Sequence, residues 1–299
     1  MVQPVRLITR FLMGLLLVLT TGIAAMPAVA ESTCEPVTPV AAAASPSDGA
    51  EATPAAVLPF PEGGGELTVF AAASLTDVFD EFASGLEEAN PGLTITIETG
   101  GSQALVTQLQ EGAKADVLAT ANTSTMQNAV DSGLVTGDPQ TFTGNRLVIV
   151  TPNDNPAGIT SLDDLAGDGV KLVVANKDVP AGNYARKALC AYQDAGHDGI
   201  SDTVLGNVVS EEEDVRSVMT KVLLGEADVG IVYASDATAS DIAGDPLNVI
   251  EFPEGVPVTA TYPIAALAGG NEELANAFIS ALLGPDGQAA LATYGFGTP

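Results

Sequence analysis

Four short stretches carry the residue types that could do chemistry. Each stands where an apolar run of strand character gives way to an amphipathic one. They are Ala71-Ala72-Ala73-Ser74-Leu75-Thr76-Asp77, Gly100-Gly101-Ser102-Gln103, Val179-Pro180-Ala181-Gly182 and Glu213-Asp214-Val215-Arg216. Small residues leave the backbone accessible, serines add hydroxyls at two of the turns, and Pro180 stands where a helix can start. The first N–H groups of a helix have no intrahelical partner and carry the positive end of the helix dipole. Four such ends meeting at one point would hold an anion without any Lys or Arg. Taken singly, each junction reads as a cap. Ser74 and Asp77 have the capping-box spacing, with Asp in place of Glu or Gln, and small residues also serve close helix–sheet packing. Only the four together favour binding over capping.

The elements that must position these turns alternate. Strands are expected over residues 67–71, 93–97, 116–120, 146–151, 171–175 and 229–233. Helices are expected through Leu75, Val78, Phe79, Phe82 and Leu86, through Ala104, Leu105 and Leu109, and over residues 126–130, 184–192, 215–224, 274–283 and 288–294. Strand followed by helix, repeated, means an α/β fold with largely parallel sheets that bind ligands at the carboxyl ends of their strands. So many strands suit two domains with a cleft better than one sheet.

Ahead of them, residues 1–30 read as a secretory signal: Arg6 and Arg10, an apolar run from Phe11 to Ala25, then Ala28-Val29-Ala30. Residues 31–65 are rich in Pro and Ala, contain no Lys or Arg, and read as a disordered linker. Cys34 in that linker and Cys190 in an expected helix could form a disulfide after export or remain two free thiols.

The chain has 299 residues and a formal net charge of −28, with 38 acidic and 10 basic side chains. That argues against nucleic acid and anionic lipid as partners. It says little about a small anion, because surface charge is screened over about 8–10 Å at physiological salt. An enzyme would need a base, and His197, the only histidine, lies far in sequence from both serines, which have no Gly-x-Ser-x-Gly frame. Asp194, His197, Asp198 and Asp202 could gather around calcium, but they lack EF-hand spacing, and a solvated acidic loop fits them better. Glu211 to Asp214 read as a solvated helix start with carboxylates pointing away from any anion.

The same turns carry a family resemblance. Leu67-Thr-Val-Phe-Ala-Ala-Ala-Ser-Leu75, Gly100-Gly-Ser-Gln-Ala-Leu105 with Gly112-Ala-Lys-Ala-Asp-Val117, and Asp178-Val-Pro-Ala-Gly182 with Tyr184-Ala-Arg-Lys-Ala-Leu189 come first. Glu213-Asp-Val-Arg216, Gly230-Ile-Val-Tyr-Ala-Ser-Asp236, Tyr262-Pro263 and Tyr294-Gly-Phe296 follow. In that order they resemble the molybdate-binding proteins of ABC transporters, over essentially all of residues 67–296. The resemblance implies a two-lobed periplasmic-binding-protein fold of type II: two mostly parallel sheets flanked by helices and joined by a two-stranded hinge. Lobe 1 would be residues 66–145 and 258–299, and lobe 2 residues 146–257. It implies an oxyanion site made by the hydroxyls and backbone N–H groups of Ser74 and Ser102, the N–H groups of Ala181 and Val215, and the phenol of Tyr233. The only metal would be molybdenum, as molybdate held by these same residues. Tungstate is expected to bind as well, and sulfate is the alternative. No cofactor is implied; the partners would be an ABC permease with its ATPase, and the exported protein a monomer. The stretch from Gln193 to Thr203 looks longer than the family needs.

Overall fold

The computed structural model describes Cys34 and residues 57–298. The expected signal, residues 1–30, and most of the expected linker lie outside the described residues. The first three strands each lead into a helix. These are β1 (Gly65–Ala72) with α1 (Thr76–Ala89), β2 (Leu93–Gly100) with α2 (Ser102–Gln110), and β3 (Val117–Ala119) with α3 (Thr123–Asp131). A long strand, β4 (Val135–Thr151), follows. Then come β5 (Leu172–Ala175), α4 (Pro180–Asp194), α5 (Ile200–Gly206), β6 (Val208–Glu212), α6 (Val215–Leu223), β7 (Val229–Tyr233), α7 (Ala234–Ile242) and β8 (Asn248–Ile250). The chain closes with β9 (Thr259–Leu267), α8 (Glu272–Leu283) and α9 (Pro285–Thr293).

The hydrophobic periods explain the layers. In α1 the helical spacing buries Val78, Phe79, Phe82 and Ala83 on one face. In β5 and β7 every residue is buried, as expected of strands covered by helices on both sides. The strand order is β2-β1-β3-β9-β4-β7-β5-β6, with β8 also on β4. Pairing is parallel for β1 with β2 and β3, and for β5 with β6 and β7. It is antiparallel for β3–β9, β4–β9, β4–β7 and β4–β8. The sheets are therefore mixed rather than mostly parallel: three parallel strands on each side meet the antiparallel pair β4 and β9.

β4 is where the two sheet regions join. Its first part pairs with β9 as far as Arg146, and from Leu147 on it pairs with β7 and β8. The return stretch touches it there, with Leu147 N donating to Val258 O at 2.9 Å. The strand begins well before the expected start at 146. Gly137, Asp138 and Pro139 break the apolar alternation, and the pairing accommodates them by shifting register between Thr136 and Gln140. Buried rings run across the join, with centroids 6.0 Å apart for Phe79–Phe142, 6.3 Å for Phe142–Tyr262 and 5.8 Å for Tyr262–Tyr233.

Cys34 and Cys190 form a disulfide, with Cα atoms 5.4 Å apart, so the thiols are not free. The later part of the expected linker is also placed: Leu58 N donates to Ser280 Oγ at 2.8 Å on α8, and Phe60 packs against the main core. The stretch from Gln193 to Thr203 is folded between α4 and α5. Its His197 stacks on Tyr192 with centroids 3.6 Å apart, and Tyr192 Oη donates to Asp163 Oδ1 at 3.1 Å. Among the described residues no group of three or more His, Cys, Asp or Glu side chains gathers as a metal site.

Candidate anion-binding site

The parallel strands of both regions end around one cavity, a cleft of about 200 Å³ that is partly open to solvent. Ser74, Ser102, Ala181, Val215 and Tyr233 all line it, so the structure brings the five expected site residues together. The rest of the lining is Ala, Gly, Val and Pro, with no charged side chain.

Ser74 lies in a 3-10 turn, Ala73–Leu75, between β1 and α1. It does not cap α1: the N-cap is Leu75, without a side-chain cap bond. The expected capping box is therefore absent, because both members have other partners. Ser74 Oγ lies 2.8 Å from Tyr262 Oη, and the Asp77 carboxylate pairs with Arg216 on α6. Ser102 opens α2, and its Oγ accepts from Ala121 N at 3.1 Å. That bond takes one of the two lone pairs of the Ser102 oxygen.

Ala181 is the second residue of α4, behind Pro180, where its N–H has no intrahelical partner. That first turn sits hard against the end of β5. A Cβ on Gly182 would lie 2.2 Å from Ala175 O and 2.1 Å from Asn176 O, so only glycine fits there. Val215 is the first residue of α6. Asp214 caps that helix, its Oδ1 accepting from Ser217 N at 2.8 Å and its Oδ2 from Ser217 Oγ at 2.9 Å. The acids before it are not simply solvated, as expected from sequence: Glu211 pairs with Arg186, and Glu212 with Lys221 at 2.7 Å. Those pairings turn the carboxylates to partners outside the cavity lining.

Tyr233 ends β7 fully buried, and its Oη has no hydrogen-bond partner in the protein. Burial above all, then the neighbouring Tyr262 and Tyr184 phenols and Asp236, hold its pKa well above the usual value. It stays a neutral donor. A buried donor without a partner is costly, and this one stands in the lining of the cavity beside the Tyr262 phenol.

Sequence reasoning missed the groups behind this lining. Asn145 on β4 and Tyr262 on β9 are buried and touch each other, Asn145 Nδ2 lying 3.3 Å from Tyr262 Oη. Asp236 on α7 is fully buried; its Oδ2 accepts from Tyr233 N at 3.0 Å, and its Oδ1 lies 3.1 Å from Arg216 Nε. Desolvation raises the Asp236 pKa to about 6, against the opposing pull of Arg216. Arg216 thus links Asp77 in the first region with Asp236 in the second. Beside it, Gln103 Nε2 donates to Glu213 O at 3.1 Å, closing the cavity's edge. A polar residue inside an otherwise apolar strand, such as Asn145 or Tyr262, was the available signal. Nothing in the local pattern pairs Asp77 with Arg216.

Comparison with known proteins agrees with this geometry. The family model for bacterial extracellular solute-binding proteins matches residues 67–297. The molybdate-binding protein ModA of Mycobacterium tuberculosis H37Rv is 36% identical over 239 residues, covering 80% of this chain and 87% of that protein. Two solved structures share the fold at 20% identity. One is a periplasmic molybdate-binding protein from Azotobacter vinelandii, with a TM-score of 0.67, covering 78% of this chain and 99% of that one. The other is the sulfate-binding protein SubI of M. tuberculosis H37Rv, with a TM-score of 0.69, covering 77% and 86%. The fold is the two-lobed one of periplasmic binding proteins, and the chain belongs to the bacterial extracellular solute-binding proteins, where it stands among relatives that bind molybdate.

Proposed function

We propose that the protein captures molybdate, and tungstate with it, outside the membrane and delivers it to an ABC importer, a permease with its ATPase. The observation that carries the reading is a cavity lined by small, uncharged residues and two serines, with a buried tyrosine hydroxyl that has no hydrogen-bond partner in the protein. A fully ionised tetrahedral oxyanion offers only acceptors, so such a lining satisfies it. Ser74, Ser102, Ala181, Val215 and Tyr233 are the ligand-binding residues. The lobes that close on the anion are residues 66–145 with 258–299, and residues 146–257, hinged where β4 changes partners. The anion is cargo and no cofactor takes part.

The protein is no enzyme. Each serine hydroxyl has a partner that is not a base, Tyr262 for Ser74 and Ala121 N for Ser102, and His197 stacks on Tyr192 outside the cavity lining. It works as a monomer, exported by residues 1–30. The disulfide fits an oxidising compartment. No helix among the described residues is long and apolar enough to cross a membrane.

Calorimetric titration of residues 31–299 with molybdate, tungstate, sulfate and phosphate tests the reading. Sub-micromolar molybdate and tungstate binding with weak sulfate binding is expected. Tight sulfate binding without a response to molybdate would give the site to sulfate instead.

A further inference from the structure

One ion network runs behind three of the five binding positions, and the oxyanion reading gives it no task. Asp77, Arg216 and Asp236 stand on α1, α6 and α7. In sequence each lies close to a lining residue: Asp77 follows Ser74 by three, Arg216 follows Val215 directly, and Asp236 follows Tyr233 by three. The Asp236 carboxylate holds its own turn, Oδ2 accepting from Tyr233 N at 3.0 Å where β7 passes into α7. Its other oxygen lies 3.1 Å from Arg216 Nε, close enough for charge to act although the two are out of line for a hydrogen bond. Arg216 turns a different nitrogen, Nη2, to the Asp77 carboxylate in the first region. Among the described residues Asp236 has no other ion-pair partner, and its side chain is wholly enclosed. A buried carboxylate left alone is costly, so the guanidinium is held on Asp236 and its outer nitrogen is left for Asp77.

From this we infer that Arg216 is a positioning residue, and that with Asp77 and Asp236 it fixes the turns carrying Ser74, Val215 and Tyr233 relative to one another. Its guanidinium is not part of the cavity lining, so it acts only through those turns. Ser74 belongs to one lobe, Val215 and Tyr233 to the other, and a hydrogen bond of about 2.9 Å is lost by about 3.6 Å. Groups that must meet one small anion therefore need their spacing set close to the donors themselves. An arginine suits that task. Its planar fork holds two carboxylates in a fixed relation, where a lysine ammonium is a single point of charge on a flexible stem. Gln103 Nε2, beside Ser102, donates to Glu213 O at 3.1 Å on the other side of Val215. The start of α6 is thereby clamped twice, to the Ser102 turn through Glu213 and to the Ser74 turn through Arg216.

The inference rests on the reading of those turns as ligand-binding, and its test keeps the two apart. Calorimetric molybdate affinity and the melting temperature of the ligand-free protein are measured for wild type, Asp77→Asn, Asp77→Glu, Arg216→Lys and the Asp77→Asn, Arg216→Lys double variant. The Asp77 side chain is 39% exposed and Arg216 keeps Asp236, so Asp77→Asn strands no buried charge. It should weaken molybdate binding about three- to tenfold, the range of coupling within one ion network, at a melting temperature close to wild type. Asp77→Glu, which restores the charge, should bind within about twofold of wild type. Arg216→Lys should weaken binding as well, and Asp77→Asn should cost less in that background than alone. Wild-type affinity in Asp77→Asn, equal losses in Asp77→Glu and Asp77→Asn, or losses that multiply in the double variant would overturn the positioning role while leaving the oxyanion site intact. No molybdate binding by the wild type would instead sink the ligand reading, and this inference with it. Should Arg216→Lys fail to fold, the contrast between Asp77→Asn and Asp77→Glu decides the matter alone.

Discussion

Gly101→Ala tests whether the cavity works only when the lobes are closed. Gly101 caps α2 with φ −59° and ψ 128°, a conformation alanine adopts without strain. Its added Cβ would nevertheless lie 2.3 Å from Glu213 O, across the cleft, where contact distances start near 3.4 Å. The second clash, 2.5 Å from Gln103 Nε2, is with the movable end of a side chain. The cleft must therefore widen by about 1 Å at this edge. A hydrogen bond of about 2.9 Å that spans it would stretch past 3.6 Å, where it no longer counts as one. The anion would lose part of the donation from Ala181, Val215 and Tyr233, in charge-assisted bonds of about 1.5–3 kcal/mol each. A loss of at least about 2 kcal/mol follows, roughly thirtyfold in Kd. If the ligand-free protein opens at this edge, its melting temperature should hold or rise slightly, since alanine restricts the unfolded chain. Calorimetry and thermal melts on one preparation read both quantities. Molybdate affinity within twofold of wild type would refute the reasoning, because the lobes would then not need this approach to bind.

Three further outcomes follow from the described geometry. Ser102→Ala should weaken molybdate binding by about 1–3 kcal/mol in calorimetric titration, and lower the melting temperature because Ala121 N loses its acceptor; equal affinity would remove Ser102 from the site. Replacing both Cys34 and Cys190 by Ser opens a bridge spanning 156 residues of sequence; urea denaturation should show stability lower by about 2–4 kcal/mol, with molybdate affinity unaltered. Asp236 has a folded-state pKa near 6, above its ordinary 3.8, so the folded protein holds that proton more tightly than the unfolded chain and stability falls as pH rises from about 4 to about 6. Denaturation midpoints of wild type minus Asp236→Asn across pH 4–7 should show that slope, up to about 3 kcal/mol; a flat difference would exclude it.

What the sequence disclosed was what local pattern encodes. The apolar runs at 67–71 and 229–233 and the helical spacing of Leu75, Val78, Phe79 and Phe82 are properties of neighbours, and those elements formed as expected. The four turns were legible because a free helix N-terminus needs small residues and little else. Hidden were the features that depend on distant partners. The early start of β4 is imposed by pairing with β9 despite Gly137 and Pro139. Ser74 looked like a cap because Asp77 stands three residues on, yet each is taken by a residue far along the chain, Tyr262 and Arg216. Cysteine spacing left a bridge and two thiols equally open until the fold brought Cys34 onto α4.

A chain of net charge −28 can hold an anion because cavity and surface answer to different physics. Arg216 adjoins Val215 in sequence, but its guanidinium pairs with Asp77 and Asp236 and is not part of the cavity lining. A lysine or arginine in the lining would stand as a buried, unpaired charge each time the anion left, at a cost of several kcal/mol. Neutral N–H and O–H groups avoid that cost, and water serves them when the lobes part. They are also more exacting. A cation attracts any anion of the right size, whereas a donor of fixed direction requires an acceptor and so penalises a protonated oxygen. Arg216 instead bridges the two sheet regions, tying Asp77 on α1 to Asp236 on α7. On this reading, weakening Arg216 loosens the bridge between the two regions without removing any donor from the cavity lining.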